Sequence, residues 1–218
     1  MIFQTLDEKS ACVGIYVDGQ LHFDPDSFPT NLTATWKYAP YLADKDIEYA
    51  SLYLQGGTIK EHIPEYLEED WHDVSQRLRA FQRSLSIAQV NTFENCFFDL
   101  VPERFLVEYC EAKNKITQHI LKTVPRPKRY NFLKHISILI EEISNRPVSI
   151  DKRGISSYLG NPKLKNQATA LLQNEPHVKY KQFGTRTGRL SSEPKTFPIL
   201  TINKELRSCI LPTNDYFV

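Results

Sequence analysis

Apolar residues recur along this chain at two different periods, and the shorter one comes first. Cys12 to Phe23 (CVGIYVDGQLHF) sets apolar side chains on both sides of Asp18-Gly19, a dipeptide that tolerates the positive φ of a type I′ turn, so a β-hairpin is predicted. Tyr49 to Leu54 (YASLYL) reads as another strand, stopped by Gly56-Gly57. The period then lengthens. Between Glu65 and Val90, the residues Leu67, Trp71, Val74, Leu78, Phe81, Leu85 and Ala88 fall three or four apart, one apolar face of a long helix. A second helix is predicted from about Pro102 to Val124, with Asp99 as its N-cap and Pro102 in its first turn. Phe105, Leu106, Tyr109, Ile116 and Ile120 form its inner side. The basic, extended run Pro125-Arg126-Pro127-Lys128-Arg129 ends it. A third helix, Tyr130 to Ser144, is rich in Ile and Leu and is expected to be well buried. Residues 151–174, Lys- and Asn-rich with poor periodicity, read as short helical turns and loop.

Composition narrows the class. The chain has 218 residues, 41% of them hydrophobic, enough to bury a core. No apolar run is long enough to span a bilayer, and Met1 to Lys9 lacks the pattern of a secretory signal, so a cytoplasmic protein with no membrane partner is expected. Cys12, Cys96, Cys110 and Cys209 are scattered, with no metal-ligand spacing, and are read as four reduced thiols, mostly buried. The net charge of +1 conceals an asymmetry: residues 1–111 hold 8 Lys/Arg and 19 Asp/Glu, a balance of −11, whereas residues 112–218 hold 19 and 7, a balance of +12. A basic half of that size suits a surface that follows a phosphate backbone. Two charged halves attracting each other would give the same numbers.

The chemistry concentrates after Val178. The stretch VKYKQFGTRTGRLSSEPKTFPILTINKELRSCILPTNDYFV gathers Lys179, Lys181, Arg186, Arg189, Lys195, Lys204 and Arg207 around β-prone residues. Gly184 and Gly188 allow close backbone approach, and Thr185, Thr187, Ser191 and Ser192 offer small hydroxyls suited to phosphate and sugar oxygens. These features imply binding of nucleic acid or nucleotides. The eight residues Thr185-Arg-Thr-Gly-Arg-Leu-Ser-Ser192 further resemble the T-x-T-G-R-L-S-S motif that opens the palm of A-family DNA polymerases. The resemblance extends over residues 178–218, where a Pro-rich loop (Glu193 to Ile199) and the segment from Leu206-Arg207 follow the motif. It is weaker over ISILIEEISNRPVSID, residues 136–151, which is similar to a helix followed by a V-x-I-D step at the start of the family's polymerase domain.

The resemblance implies a DNA-directed DNA polymerase, of compact bacteriophage type, acting in DNA replication on primer–template DNA and deoxynucleoside triphosphates. The fold class it implies is α+β in three parts: an accessory α+β domain over residues 1–100, a helical segment with an abbreviated thumb over 101–175, and the beginning of a palm with antiparallel strands over 176–218. Arg189 would reach the minor groove beside the primer terminus, where the acceptor pattern is sequence-tolerant. Thr185, Arg186, Thr187, Gly188, Ser191 and Ser192 would shape the same DNA-binding surface, and Arg207 would sit on the strand approaching the active centre. Two departures from the family pattern stand out: the stretch between Asp151 and Thr185 is too short for the usual thumb, and the loop after Ser192 is shortened and lacks an arginine that many members carry.

Nucleotide addition needs two Mg²⁺ ions held by converging carboxylates. On the polymerase reading, the metal-binding aspartate is expected just beyond Val218, either in the same gene or in a separate C-terminal half, and these 218 residues alone are expected to be inactive. Asp215 imitates an Asp-Tyr pair but reads as a turn residue. Asp46-Ile47-Glu48 matches the D-x-E of proofreading exonucleases, yet it precedes a hydrophobic strand where those carboxylates follow one. His62, His72, His119 and His135 have no ligand spacing. The competing expectation is a non-enzymatic nucleic-acid-binding protein that uses the same basic half.

Overall fold

The computed structural model describes residues 1–6, 13–91, 95–173, 176–185, 189–194 and 196–212. It is a mixed α+β structure, about half helical, whose few strands are short. Its contacts divide it into two compact units, Met1–His135 and Ile136–Val218, a different division from the three segments suggested by the sequence.

In the first unit, β1 (Phe3–Thr5), β2 (Ile15–Val17) and β3 (Gln20–His22) form an antiparallel sheet in that order. Its β2–β3 half is the predicted hairpin. Val17 pairs with Gln20, and Asp18 and Gly19 between them have φ of 49° and 83°, the two left-handed residues a type I′ turn requires. β4 (Ala34–Thr35) pairs in parallel with β5 (Glu48–Tyr49). The strand predicted to run on to Leu54 stops there. Ala50–Leu54 is instead a 3₁₀ helix with Ala50, Leu52 and Tyr53 buried.

The long helix is α1 (Glu68–Ile87), with Trp71 and Val74 buried and Leu78, Phe81 and Leu85 half-buried. Three acidic residues, Glu68, Glu69 and Asp70, lie in its first turn, where the helix dipole favours them. All five residues predicted for the inner side of the second helix are buried in α2 (Glu103–Thr123), which packs against α1 and β1. Its N-cap is Pro102 and not Asp99, which lies in a 3₁₀ turn over Phe97–Leu100. The cause is local: Val101, preceding proline, is held extended at φ −122° and ψ 153°, so the helix cannot begin earlier.

The third helix, α3 (Tyr130–Ser144), has the predicted bounds, and the division between the units falls within it. It is less buried than its composition suggested, since Phe132 is 60% and Leu139 50% exposed. Tyr130 anchors its start by accepting a hydrogen bond from the Tyr49 backbone N–H at 2.6 Å. The cysteine reading also needs correction: Cys96 is disulfide-bonded, whereas Cys110 and Cys209 are buried free thiols and Cys12 lies outside the described residues. Burial pushes the Cys110 thiol up to about 12.

The second unit is built on an extended strip, residues 147–151. Val148 N–H donates to the Pro176 carbonyl (2.6 Å), Asp151 N–H to the Cys209 carbonyl (2.8 Å), and Leu211 N–H returns a bond to the Ser149 carbonyl (2.8 Å). Asp151 then caps α4 (Lys152–Ser157) by accepting from Arg153 N–H, and α5 (Lys165–Gln173) follows. Ile155, Leu164, Ala168, Leu171, Val178, Phe197, Ile202, Leu206 and Cys209 form the core that these segments share. Among the described residues, no helix is long and apolar enough to cross a membrane.

Candidate nucleic-acid interface

Two residues of the motif that suggested nucleic acid, Ser191 and Ser192, form one strand of an antiparallel ribbon in the second unit. β6 (Tyr180–Lys181) pairs with β7 (Ser191–Ser192), Tyr180 opposite Ser192 and Lys181 opposite Ser191. Glu193 N–H extends the ladder to the Lys179 carbonyl at 2.8 Å. Alternation places Tyr180 and Ser192 on one face and Lys181 and Ser191 on the other. Tyr180 packs against the unit's core, so Lys181 and Ser191 belong to the outer face.

A turn folds over that outer face. Gly184 N–H bonds the Lys181 carbonyl at 3.4 Å, and a Cβ at position 184 would overlap the Ser191 Oγ and stand 3.0 Å from the Lys181 Cβ. A side chain there must displace the Ser191 hydroxyl and press on Lys181. Gly184→Ala is expected to open the ribbon and destabilise the second unit by about 1–3 kcal/mol, the usual cost of forced overpacking. Urea denaturation of the variant beside the parent checks this, and an unchanged midpoint would mean that the turn yields freely.

The predicted site residues behave unequally. Arg189 is exposed. Thr185 is exposed too, but its hydroxyl donates to the Arg189 carbonyl at 2.8 Å and so ties these two residues together instead of offering a donor outward. Ser191 and Ser192 are half-buried on β7. Arg186, Thr187 and Gly188 lie outside the described residues, as does Asp215. Arg207 is not on a strand. It ends the single-turn helix α6 (Lys204–Arg207), capped by Asn203 and pinned by buried Leu206, and its Nε donates to the Ile202 carbonyl at 3.3 Å.

The charge contrast is smaller between the two units than between the two halves of the sequence. Residues 1–135 hold 15 Lys/Arg and 19 Asp/Glu, a balance of −4, and residues 136–218 hold 12 and 7, a balance of +5. Much of the basic run after residue 111 lies in the first unit and is engaged there. Lys115 pairs with Glu111 (3.2 Å), Arg126 lies 3.6 Å from Glu48 and over the Tyr130 ring, and Lys134 binds Asp46 (2.9 Å). In the second unit the exposed cations Arg146, Lys152, Arg153, Lys163, Lys165, Lys181, Arg189, Lys204 and Arg207 make no ion pair among the described residues. Cations held apart from carboxylates keep their full field for an anionic partner.

The Asp46-Ile47-Glu48 triplet is engaged elsewhere. Ile47 is buried between the two carboxylates, Asp46 is held below the usual carboxylate range by its hydrogen bond from Lys134, and Glu48 accepts from the Tyr53 hydroxyl at 2.6 Å. Among the described residues, no three His, Cys, Asp or Glu side chains are grouped to hold a metal ion. Phe183, which the charge and motif arguments passed over, is exposed on the turn beside the ribbon. Its signal in the sequence is an aromatic standing in a basic run between Gln182 and Gly184.

The fold and site therefore define an α+β protein whose second unit carries a basic ribbon. The chain matches no protein-family model, no curated protein and no solved structure.

Proposed function

We propose that the chain is part of a DNA-directed DNA polymerase resembling the A family, and that its second unit binds the primer–template duplex. The observation that carries this reading is the ribbon: the motif residues Ser191 and Ser192 are strand-paired with Tyr180 and Lys181, and Arg189 is exposed beside them among cations without carboxylate partners. Arg189 acts here as a positioning residue in the minor groove, where sequence-tolerant contact is possible. The dispersed cations follow the phosphates, which fixes the register of the duplex without reading its sequence.

The described carboxylates of this unit, Glu141, Glu142, Asp151, Glu193 and Glu205, form no metal-holding group, so they do not fit the two Mg²⁺ ions of nucleotide addition. No step of the transfer, and no contact to the deoxynucleoside triphosphate, is assigned to them.

The test has two arms. In fluorescence anisotropy the chain binds a primer–template junction with an affinity that falls steeply with salt, and Arg189→Ala weakens it by about 1–3 kcal/mol. When the polypeptide is continued through the downstream reading frame, Mg²⁺-dependent primer extension appears, and Arg189→Ala reduces it. Equal affinity for junction, blunt duplex and single strand, with no extension, would favour the non-enzymatic nucleic-acid-binding reading instead.

A further inference from the structure

We propose that Phe183 is a stacking platform for an unpaired base of single-stranded DNA next to the duplex that the ribbon contacts. This rests on the nucleic-acid reading of the second unit and adds to it a different part of the substrate. Of the described aromatic side chains in that unit, Phe197 is fully buried, Tyr158 and Tyr180 are half-buried against the core, and Phe183 is exposed.

Its setting is firm. Phe183 lies in the turn closed by the Gly184 N–H bond to the Lys181 carbonyl, and Gly184 is seated against Ser191, so the turn is fixed to the ribbon. The cation Lys181 lies two residues away and Arg189 lies on the other arm, both exposed and without an ion pair among the described residues. An exposed ring on a fixed turn, flanked by cations that attract a phosphate backbone, is the combination that holds unpaired bases: every base has a π-face, and the cations set the path of the strand. Phe183 is 38% exposed, enough apolar surface to meet the π-face of a base.

The experiment uses the full chain and an oligothymidylate strand, a blunt duplex and a primer–template junction as probes. Phe183→Ala is expected to weaken single-strand and junction binding roughly tenfold, the loss of one base–aromatic stack, and to leave the blunt duplex unchanged. Phe183→Leu, which keeps the apolar surface but has no ring, loses as much as alanine, and Phe183→Trp restores affinity and has its emission quenched on adding oligothymidylate. If single-strand binding is salt-sensitive but indifferent to Phe183→Ala, with no quenching in Phe183→Trp, the platform is overturned and the ribbon's duplex reading stands. If no probe binds any variant, both are overturned.

Discussion

Phe197→Ala is expected to cost the second unit about 3–5 kcal/mol, the range for emptying a buried phenylalanine site. Phe197 has no exposed surface, lies in the core with Val178, Leu171 and Leu206, and is fastened by its backbone N–H to the His177 carbonyl at 2.9 Å. In the Pro-rich loop that carries it, Glu193 to Ile199, half-buried Ile199 packs against the same core, and Phe197 is the fully buried side chain by which this stretch is tied to it. A domain of this size is stable by only about 5–15 kcal/mol, so the loss is a large share of the total. Urea unfolding with limited proteolysis measures it: new cleavage confined to residues 136–218 is the expected result, and a shift under about 1 kcal/mol would show that the loop contributes little to the core.

The first unit is expected to lose stability steeply in alkali. Tyr49 and Tyr130 are almost wholly buried, and burial raises both hydroxyls, Tyr130 up to about 12 and Tyr49 well above the usual phenol range. The folded state therefore keeps protons that the unfolded chain releases near pH ~10. The stabilisation is complete below that pH and disappears as pH rises from there through the folded values, at about 1.4 kcal/mol per pH unit for each tyrosine, or about 2.7 for the pair. Thermal melts across this range, with tyrosinate absorbance recorded in parallel, should show ionisation coincident with unfolding. Tyr130→Phe should remove about 1.4 kcal/mol per pH unit from the slope, and it also lowers stability below pH ~10, because the Tyr49 N–H loses its acceptor. Ionisation well before unfolding would mean that these hydroxyls reach water in the folded state.

The sequence was most informative where structure is local. The Asp18-Gly19 turn, the bounds of Tyr130–Ser144 and the buried face of the Glu103–Thr123 helix depend on residues a few positions apart, which a single chain displays directly. The 3₁₀ helix at Ala50–Leu54 was not legible, because a short apolar run fits either period. Nor was Arg207's place in a helical turn, which depends on Leu206 reaching a core assembled from distant segments. At the candidate site the β-prone character of the segment was legible, but the pairing of Ser191 and Ser192 with Lys181 and Tyr180 was not. Nor were the inward use of the Thr185 hydroxyl and the exposure of Phe183, since both depend on how the turn folds back.

The strip at residues 147–151 bears on synthesis as well as stability. Its partners Cys209 and Leu211 are among the last described residues to be translated, so on the ribosome Asp151 and Ser149 wait with their backbone bonds unmade while the hairpin at Asp18-Gly19 can close at once. The second unit is therefore folded late and all together, and a nascent chain stalled before Cys209 would expose Ile155 and Leu171 to any chaperone at the tunnel exit.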